Sequence, residues 1–464
     1  MLVCCFLFKI CNISAQDIYV SSSLGSDMNS GLSPDEPLKT INVALKKGKT
    51  IYLRAGDVFY EHVVLHNQTL TRYGEGHNPE IHGFKRLDNP KWEKVEGNIW
   101  CIDLTTGDFS GFATMGSSLD NNIGCLYEYE TDIIHCRKVQ EYTQLVQDWD
   151  LWQTDVFDKK AVPKRYDNLY LYFSGNPNDL KVDLSVGGGY GIKCNDANVE
   201  GINVIGFGMG GITLYGSSNV RGCRVDIIGG SNMTAGDYFA PFGNGIDFWV
   251  SRDAHDCIIE DCYISRCYDC GCSIQARYMG KAKPSNIIFR NNLIKNCCQA
   301  WEDFLRNDPD VMFEECYFSN NIAVNCGESP FGYSSTRKKY CNLLGANTDG
   351  DREMNIVDNV FIGGNYYCSY SYNKLYRSNV WKGNKHYTTR GHWLLCNPSG
   401  LIKPLIIPEK AEGDKSLLTA TNEIIENYRE LTGDYSTVFK FKSEKRIQRK
   451  ANRAVKKYLA KHQY

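Results

Sequence analysis

Gly201-Ile202-Asn203-Val204, Gly222-Cys223-Arg224-Val225, Asp261-Cys262-Tyr263-Ile264, Asn291-Asn292-Leu293-Ile294, Asn320-Asn321-Ile322-Ala323 and Asp358-Asn359-Val360-Phe361 are copies of one short phrase. In most of them Asn, Asp or Cys precedes an apolar pair. Aligning Ile202, Cys223, Cys262, Asn292, Asn321 and Asn359 gives spacings of 21, 39, 30, 29 and 38 residues. A period wandering in this way is what short strands joined by variable loops produce when they coil. The stretch from Val199 to Tyr387 therefore reads as a parallel β-helix, one copy per rung. A rung cannot bury its apolar face alone, so it stacks on its neighbours at about 4.8 Å per step. Function, if present, lies on the outward side chains.

Composition agrees. A solenoid grows in one dimension, so 464 residues need not split into globular domains, and 42 Gly with 42% hydrophobic residues suit strands, turns and a core. Leu2 to Phe8 is apolar and Ile13-Ser14-Ala15-Gln16 suits a cleavage region, so residues 1–16 read as an export signal and the protein as extracytoplasmic. No later segment offers ~18 uninterrupted apolar residues, so no transmembrane segment is expected. Nothing points to nucleic acid, and a monomer is expected.

The 20 cysteines raise disulfides and zinc as alternatives. Most fall at positions where other rungs carry Asn, Ala or Val, so Cys267, Cys270, Cys272, Cys297 and Cys326 are expected as interior thiols stacked between rungs. Cys267-x-x-Cys270-x-Cys272 has metal-like spacing but no second pair, and ligands alternating along a strand point to opposite faces, so no metal site is assigned.

Four regions follow the signal. Residues 17–83 carry Gly25-Ser26-Asp27-x-Asn29-x-Gly31-x-Ser33-Pro34 and Thr50-Ile51-Tyr52-Leu53-Arg54-Ala55-Gly56-Asp57 and read as a cap with the first rungs. In residues 84–189 the phrase disappears, and Trp92, Trp100, Trp149 and Trp152 mark an inserted β-rich subdomain whose aromatics either pack or stack on sugars. Residues 190–400 hold the main rungs. Residues 401–464 hold one amphipathic helix over Ser416–Leu431 and a basic tail with ten Lys or Arg against Glu444 alone, leaving about −11 on the rest of the chain. Ile447, Ala451, Val455 and Leu459 recur every four residues in the tail, which suits a basic amphipathic helix that docks on the body, attracts a polyanion or stays solvated. Its separate charge suggests that residues 440–464 are dispensable for folding.

The opening motifs, together with Asn244-Gly245-Ile246-Asp247-Phe248-Trp249, Tyr268-Asp269 and Asn325-Cys326-Gly327, resemble secreted bacterial right-handed β-helix proteins of the pectin-lyase-like superfamily. The resemblance implies an all-β fold, a right-handed single-stranded parallel β-helix with an inserted small β subdomain, to which the periodicity of the last residues adds a C-terminal helical, basic tail, and it implies a polysaccharide partner. It does not extend to the catalytic signatures of polygalacturonases, so no specific activity carries over.

The chemistry must come from outward positions. Strand alternation sets Asp247 and Trp249 opposite Ile246 and Phe248, and Gln275 and Arg277 opposite Cys272 and Ile274. Burying Trp301 and Leu305 traps only Asp303, whereas the other parity buries both Glu302 and Arg306, so Glu302 and Arg306 are expected outside. Asp247, Gln275, Arg277, Glu302 and Arg306 are the candidate catalytic residues, with Trp249, Tyr278, Tyr333 and Arg337 as candidates for holding substrate. Three functions fit. A glycoside hydrolase would use Asp247 and Glu302 as acid and base and need no cofactor. A polysaccharide lyase would use Arg277, Arg306 or Lys338 as base, with a carboxylate-bound Ca²⁺ acidifying the uronate. A non-catalytic glycan-binding protein needs only the aromatics.

Overall fold

The computed structural model describes residues 16–86, 91–104, 123–139, 141–153, 168–185, 189–235, 238–250, 252–276, 284–305, 313–327, 330–331, 341–346, 354–364, 366–370, 381–391, 393–396, 405–409, 414–462 and 464. It is a parallel β-helix built from three ten-stranded sheets. One rung shows the plan. Ala254–Glu260 lies in sheet 1, Tyr263–Cys267 in sheet 2 and Cys270–Ala276 in sheet 3. Each pairs in parallel with its counterpart one rung on, as Ile259 with Phe289, Ile264 with Ile294 and Cys272 with Trp301.

The recurring phrase is the corner between sheets 1 and 2. Its first residue takes a positive φ, +64° at Gly201, +55° at Asp261, +56° at Asn291, +55° at Asn320 and +56° at Asp358, a region where Gly, Asn and Asp carry the least strain. The second residue points inward and joins the rungs. Asn321 Oδ1 accepts from the backbone N–H of Asn292 at 2.9 Å and from Asn292 Nδ2 at 3.0 Å. Asn321 Nδ2 donates to Asn359 Oδ1 at 3.1 Å and to the carbonyl of Phe289 at 3.0 Å. Every amide valence is filled. The pattern repeats at Asn359 and again at Asn384, a rung beyond the six copies read from the sequence. Cys262 and Cys223 take the same place earlier in the coil, each thiol turned toward the carbonyl two residues back.

Inside, Ile, Val, Leu, Phe and Cys from all three sheets form one core. The described cysteines carry free thiols, and Cys267, Cys272, Cys297 and Cys326 lie in that core. Cys270 is the exception. It pairs with Gln299, is absent from the core cluster, and sits on the outer face of sheet 3, so its expected interior place is corrected. The cause is local: Gly271 faces the interior, where an added Cβ would meet Ile294 and Cys297, and alternation breaks at this corner.

Between the early and main rungs, Phe84–Arg86, Leu126–Glu128, Ile133–His135 and Val182–Ser185 form an antiparallel sheet, and a five-stranded sheet lies beside it. Trp92 is buried there with Ile102, Leu151 and Leu171. Trp149 stacks on His135 at 3.5 Å, and Trp152 leans on Tyr170. These tryptophans pack. Arg266 ties the insertion to the coil by gripping Asp226 at 2.5 and 2.8 Å while also pairing with Asp132.

After the short helix α1 (Ile41–Ala44), the C-terminal segment supplies α2 (Asp414–Thr432), ended by Gly433 at φ +69°, and α3 (Glu444–Leu459). Between them Val438–Phe441 pairs with Lys385–Thr388 as the last strand of sheet 2. Helix α3 then runs back over that sheet. Ile447, Ala451 and Tyr458 pack on Leu293, Val324 and Ile362, and Tyr458 Oη donates toward the carbonyls of Cys262 and Asn291 at 3.0 and 2.9 Å. The four-residue spacing read from the sequence drifts by about 40° per step on a helix of 3.6 residues per turn. Leu459 is consequently exposed and Tyr458 takes its place. The basic tail is therefore part of the fold, and its expected dispensability is corrected.

Two stability outcomes follow. Asn321→Ala strands the Phe289 carbonyl and the Asn292 N–H, so denaturant unfolding should show a loss of about 3 kcal/mol or more, at 1–3 kcal/mol per buried unsatisfied group. Asn321→Cys, which imitates the corner at Cys262, should cost less; equal stability of wild type and the Ala variant would remove the ladder's role. A chain ending at residue 437 should melt well below the full chain and bind an apolar dye, since it uncovers Leu293, Val324 and Ile362.

Candidate functional site

Sheet 3 presents its outer face in columns set by strand register. Lys193 lies opposite Thr213, Thr213 opposite Asp247, Asp247 opposite Ser273, and Ser273 opposite Glu302. A second column sets Trp249 beside Gln275. Asp247 and Glu302 thus share a column with Ser273 between them, two rung steps or about 9.6 Å apart along the backbone.

The inward residues fix these orientations. Ile246 and Phe248 are fully buried in the core and flank Asp247, and Cys272 and Ile274 flank Ser273. Trp301 lies in the core opposite Cys272, and Asp303 opposite Ile274 is 1% exposed, with its carboxylate 3.4 Å from Trp301 Nε1. Trapping Asp303 leaves Glu302 on the outer face, as the parity argument requires.

The column is wired together. Ser273 Oγ donates to Asp247 Oδ1 at 2.6 Å. Gln275 Nε2 donates to Glu302 Oε2 at 3.1 Å and lies 3.4 Å from Ser273 Oγ. Asn244 Nδ2 lies 3.3 Å from the same hydroxyl. One donor and two acceptor sites on Ser273 join both carboxylates into a single network. Ser273 escaped the sequence reading, because a serine between two core residues signals nothing until the register places it between two carboxylates.

The surroundings are unusually enclosed for an outer face. Asp247 is 2% exposed, and Thr213, Ser273, Gln275 and Gln299 are also buried, while Glu302 and Trp249 are half-buried. Tyr215 stands near enough to Asp247 that burial, followed by that negative charge, pushes its hydroxyl up to about 12. Lys193 is held below the usual lysine range by burial and lies 4.5 Å from the Tyr190 ring. A third carboxylate, Asp269, accepts from Gln299 Nε2 at 3.2 Å. Cys270 lies between these groups, its thiol pushed well up by burial and then by the charges of Glu302 and Asp269. It is a protonated thiol and a poor nucleophile.

The structure thus brings Asp247, Gln275, Glu302 and Trp249 onto one face. Arg277, Tyr278, Arg306, Tyr333 and Arg337, with Lys338, lie outside the described residues. Among the described residues no group of three or more His, Cys, Asp or Glu is placed to hold a metal ion, and no helix is long and apolar enough to cross a membrane.

No protein family matches the chain, and no curated protein does. Among solved structures it is similar to XylC in complex with xylose, at 14% identity over 82% of this chain and 70% of that one with a TM-score of 0.45. It is similar to a glycoside hydrolase at 12% identity over 80% and 96% of the two chains, TM-score 0.36. A GH136 lacto-N-biosidase from Eubacterium ramulus aligns at 9% identity over 92% and 68%, TM-score 0.34.

The enclosure of this face has a direct check. Iodoacetamide applied to the native protein near pH 8 should leave Cys270 unmodified by peptide mapping, and unfolding should expose it to full alkylation. Rapid native labelling of Cys270 would show the face to be open and its thiol activated.

Proposed function

We propose that the protein hydrolyses glycosidic bonds in a polysaccharide, with Asp247 and Glu302 as the acid and base pair. The observation that carries this reading is their common column, joined through Ser273 and Gln275. Two rung steps set their backbones about 9.6 Å apart, and inverting glycosidases hold their carboxyl groups about 6.5–9.5 Å apart so that a water fits beside the sugar. Side chains of this length are long enough to close the remaining gap.

The roles follow from the partners. Asp247 accepts the short hydroxyl bond of Ser273, which holds its carboxyl in place as the base that would activate water. Glu302, more open to solvent, meets the glycosidic oxygen and donates its proton to the leaving group. Gln275 spans the two and fixes Glu302. Trp249, adjacent to Gln275, offers a ring face for a sugar. The chemistry needs no metal. A polysaccharide substrate fits an enzyme acting outside the cytoplasm, in line with the leader-like character of residues 1–16.

Asp247→Asn and Glu302→Gln keep shape and remove the ionisable group. Each should lower turnover by roughly 10² or more with melting temperature and sugar affinity near normal, read as new reducing ends across a panel of plant, algal and host polysaccharides. Glu302→Gln should lose far less on an aryl glycoside with a good leaving group, which needs no acid. Products absorbing as conjugated unsaturated uronates, with both variants fully active, would replace hydrolysis by β-elimination.

A further inference from the structure

Among the described residues, a dense row of cations lies on the outer face of sheet 2, away from the carboxylate column on sheet 3. A groove of ≈ 680 Å³ runs between α3 and that sheet, lined by Lys442, Arg446, Arg449, Arg453, Lys457 and Lys461, with Ile322 and Tyr387 in its wall. A seventh cation, Lys450, lies 3.9 Å from the Tyr387 ring centre. Among the described residues no carboxylate lines the groove, and the ion pairs between them involve none of these cations.

The geometry makes this a linear array. Helix α3 lies along the coil axis, because Val438–Phe441 joins the rung of Lys385–Thr388 while Tyr458 reaches the rungs of Cys262 and Asn291. One helical turn rises about 5.4 Å and one rung about 4.8 Å, so the helix meets roughly one rung per turn. Residues 442, 446, 449, 453, 457 and 461 recur at three- or four-residue steps, putting a cation on the same flank about every 5–6 Å. The part of the row inside α3, from Arg446 to Lys457, is about 17 Å long at 1.5 Å per residue, with Lys442 before the helix and Lys461 after it.

A partner carrying repeated negative charge is complementary to such a row. An anionic membrane fits poorly. The apolar side of α3, Ile447, Ala451 and Tyr458, is already committed to the sheet, whereas an interfacial helix needs that side free for lipid. Single-stranded nucleic acid needs a series of open aromatic faces, and the groove has Tyr387, already covered by Lys450. We infer that this groove is a second, non-catalytic binding site for a linear anionic polysaccharide, one carrying a carboxylate or sulfate on successive sugars. The site stands independently of any cleavage at Asp247 and Glu302 and would hold the protein along a charged glycan.

The test uses the full chain and two probes, polygalacturonate for carboxylate and dextran sulfate for sulfate, with neutral dextran and single-stranded DNA alongside, by calorimetry at several salt concentrations. Binding to at least one anionic glycan, falling linearly on a log–log salt plot, and no binding to neutral dextran are expected. Arg449→Gln, Arg453→Gln and Lys457→Gln combined should weaken it by about tenfold or more at low salt, as losing several ionic contacts does. All three side chains are exposed, so the melting temperature should hold. The double variant Asp247→Asn and Glu302→Gln should bind as wild type does, which separates this site from the cleavage reading. Failure to bind both anionic glycans, binding unchanged in the triple variant at intact fold, or tighter binding to DNA would each overturn it.

Discussion

The rest of the structure depends on a buried backbone problem at one corner. Where the chain turns from sheet 1 to sheet 2, backbone groups face the interior and must find partners. A corner residue at positive φ makes the turn, and the next side chain supplies the missing bonds, using the amides of Asn292, Asn321, Asn359 and Asn384 in unbroken succession. An amide has two donors and an acceptor oxygen with two lone pairs, so it can bond to the rung before, the rung after and a carbonyl of its own wall. A thiol does less: with one proton, Cys223 and Cys262 each turn toward the carbonyl two residues back and supply no amide acceptor to the next rung. The ladder fixes register, because a slip by one residue would bury a bend residue and expose the amide. Register in turn sets which outward side chains share a column, and so brings Asp247, Ser273 and Glu302 into line.

That chain of cause explains what the sequence discloses. The corner phrase is local and repeats, so the coil and most of its rungs are readable from composition and spacing alone. Parity is readable too where a strand carries a decisive pair: the cost of burying Glu302 settles its side at the expense of Asp303. Register between rungs is not readable, because loops of unequal length separate the strands. Gln275 accordingly sits beside Trp249 and Ser273 takes the place between the carboxylates. Cys270 shows the same limit at shorter range, since an inward Gly271 breaks alternation within a strand whose other residues keep it.

The tail shows what a charge count hides. Ten cations in the last stretch suggest a solvated appendage, yet Tyr458 and Ile447 are buried and Val438–Phe441 completes a sheet. Amphipathic periodicity was present in the sequence, but the partner face, Leu293, Val324 and Ile362, is spread over three rungs and appears only once these stack.

The two covered outer faces then differ in a way that stability alone does not account for. Under α3, sheet 2 presents leucine, valine and isoleucine, the residues that gain most from being covered. Sheet 3 buries Thr213, Asp247, Ser273, Gln275 and Gln299 on its outer side, where each polar group costs free energy unless hydrogen bonds replace its water. The network through Ser273 and Gln275 offsets part of that cost, but an apolar column in the same coil would avoid it. A fold that covers one face with apolar residues yet retains a buried Asp247 and a half-buried Glu302 on the other carries an arrangement that packing alone does not call for, and that the proposed hydrolysis would use.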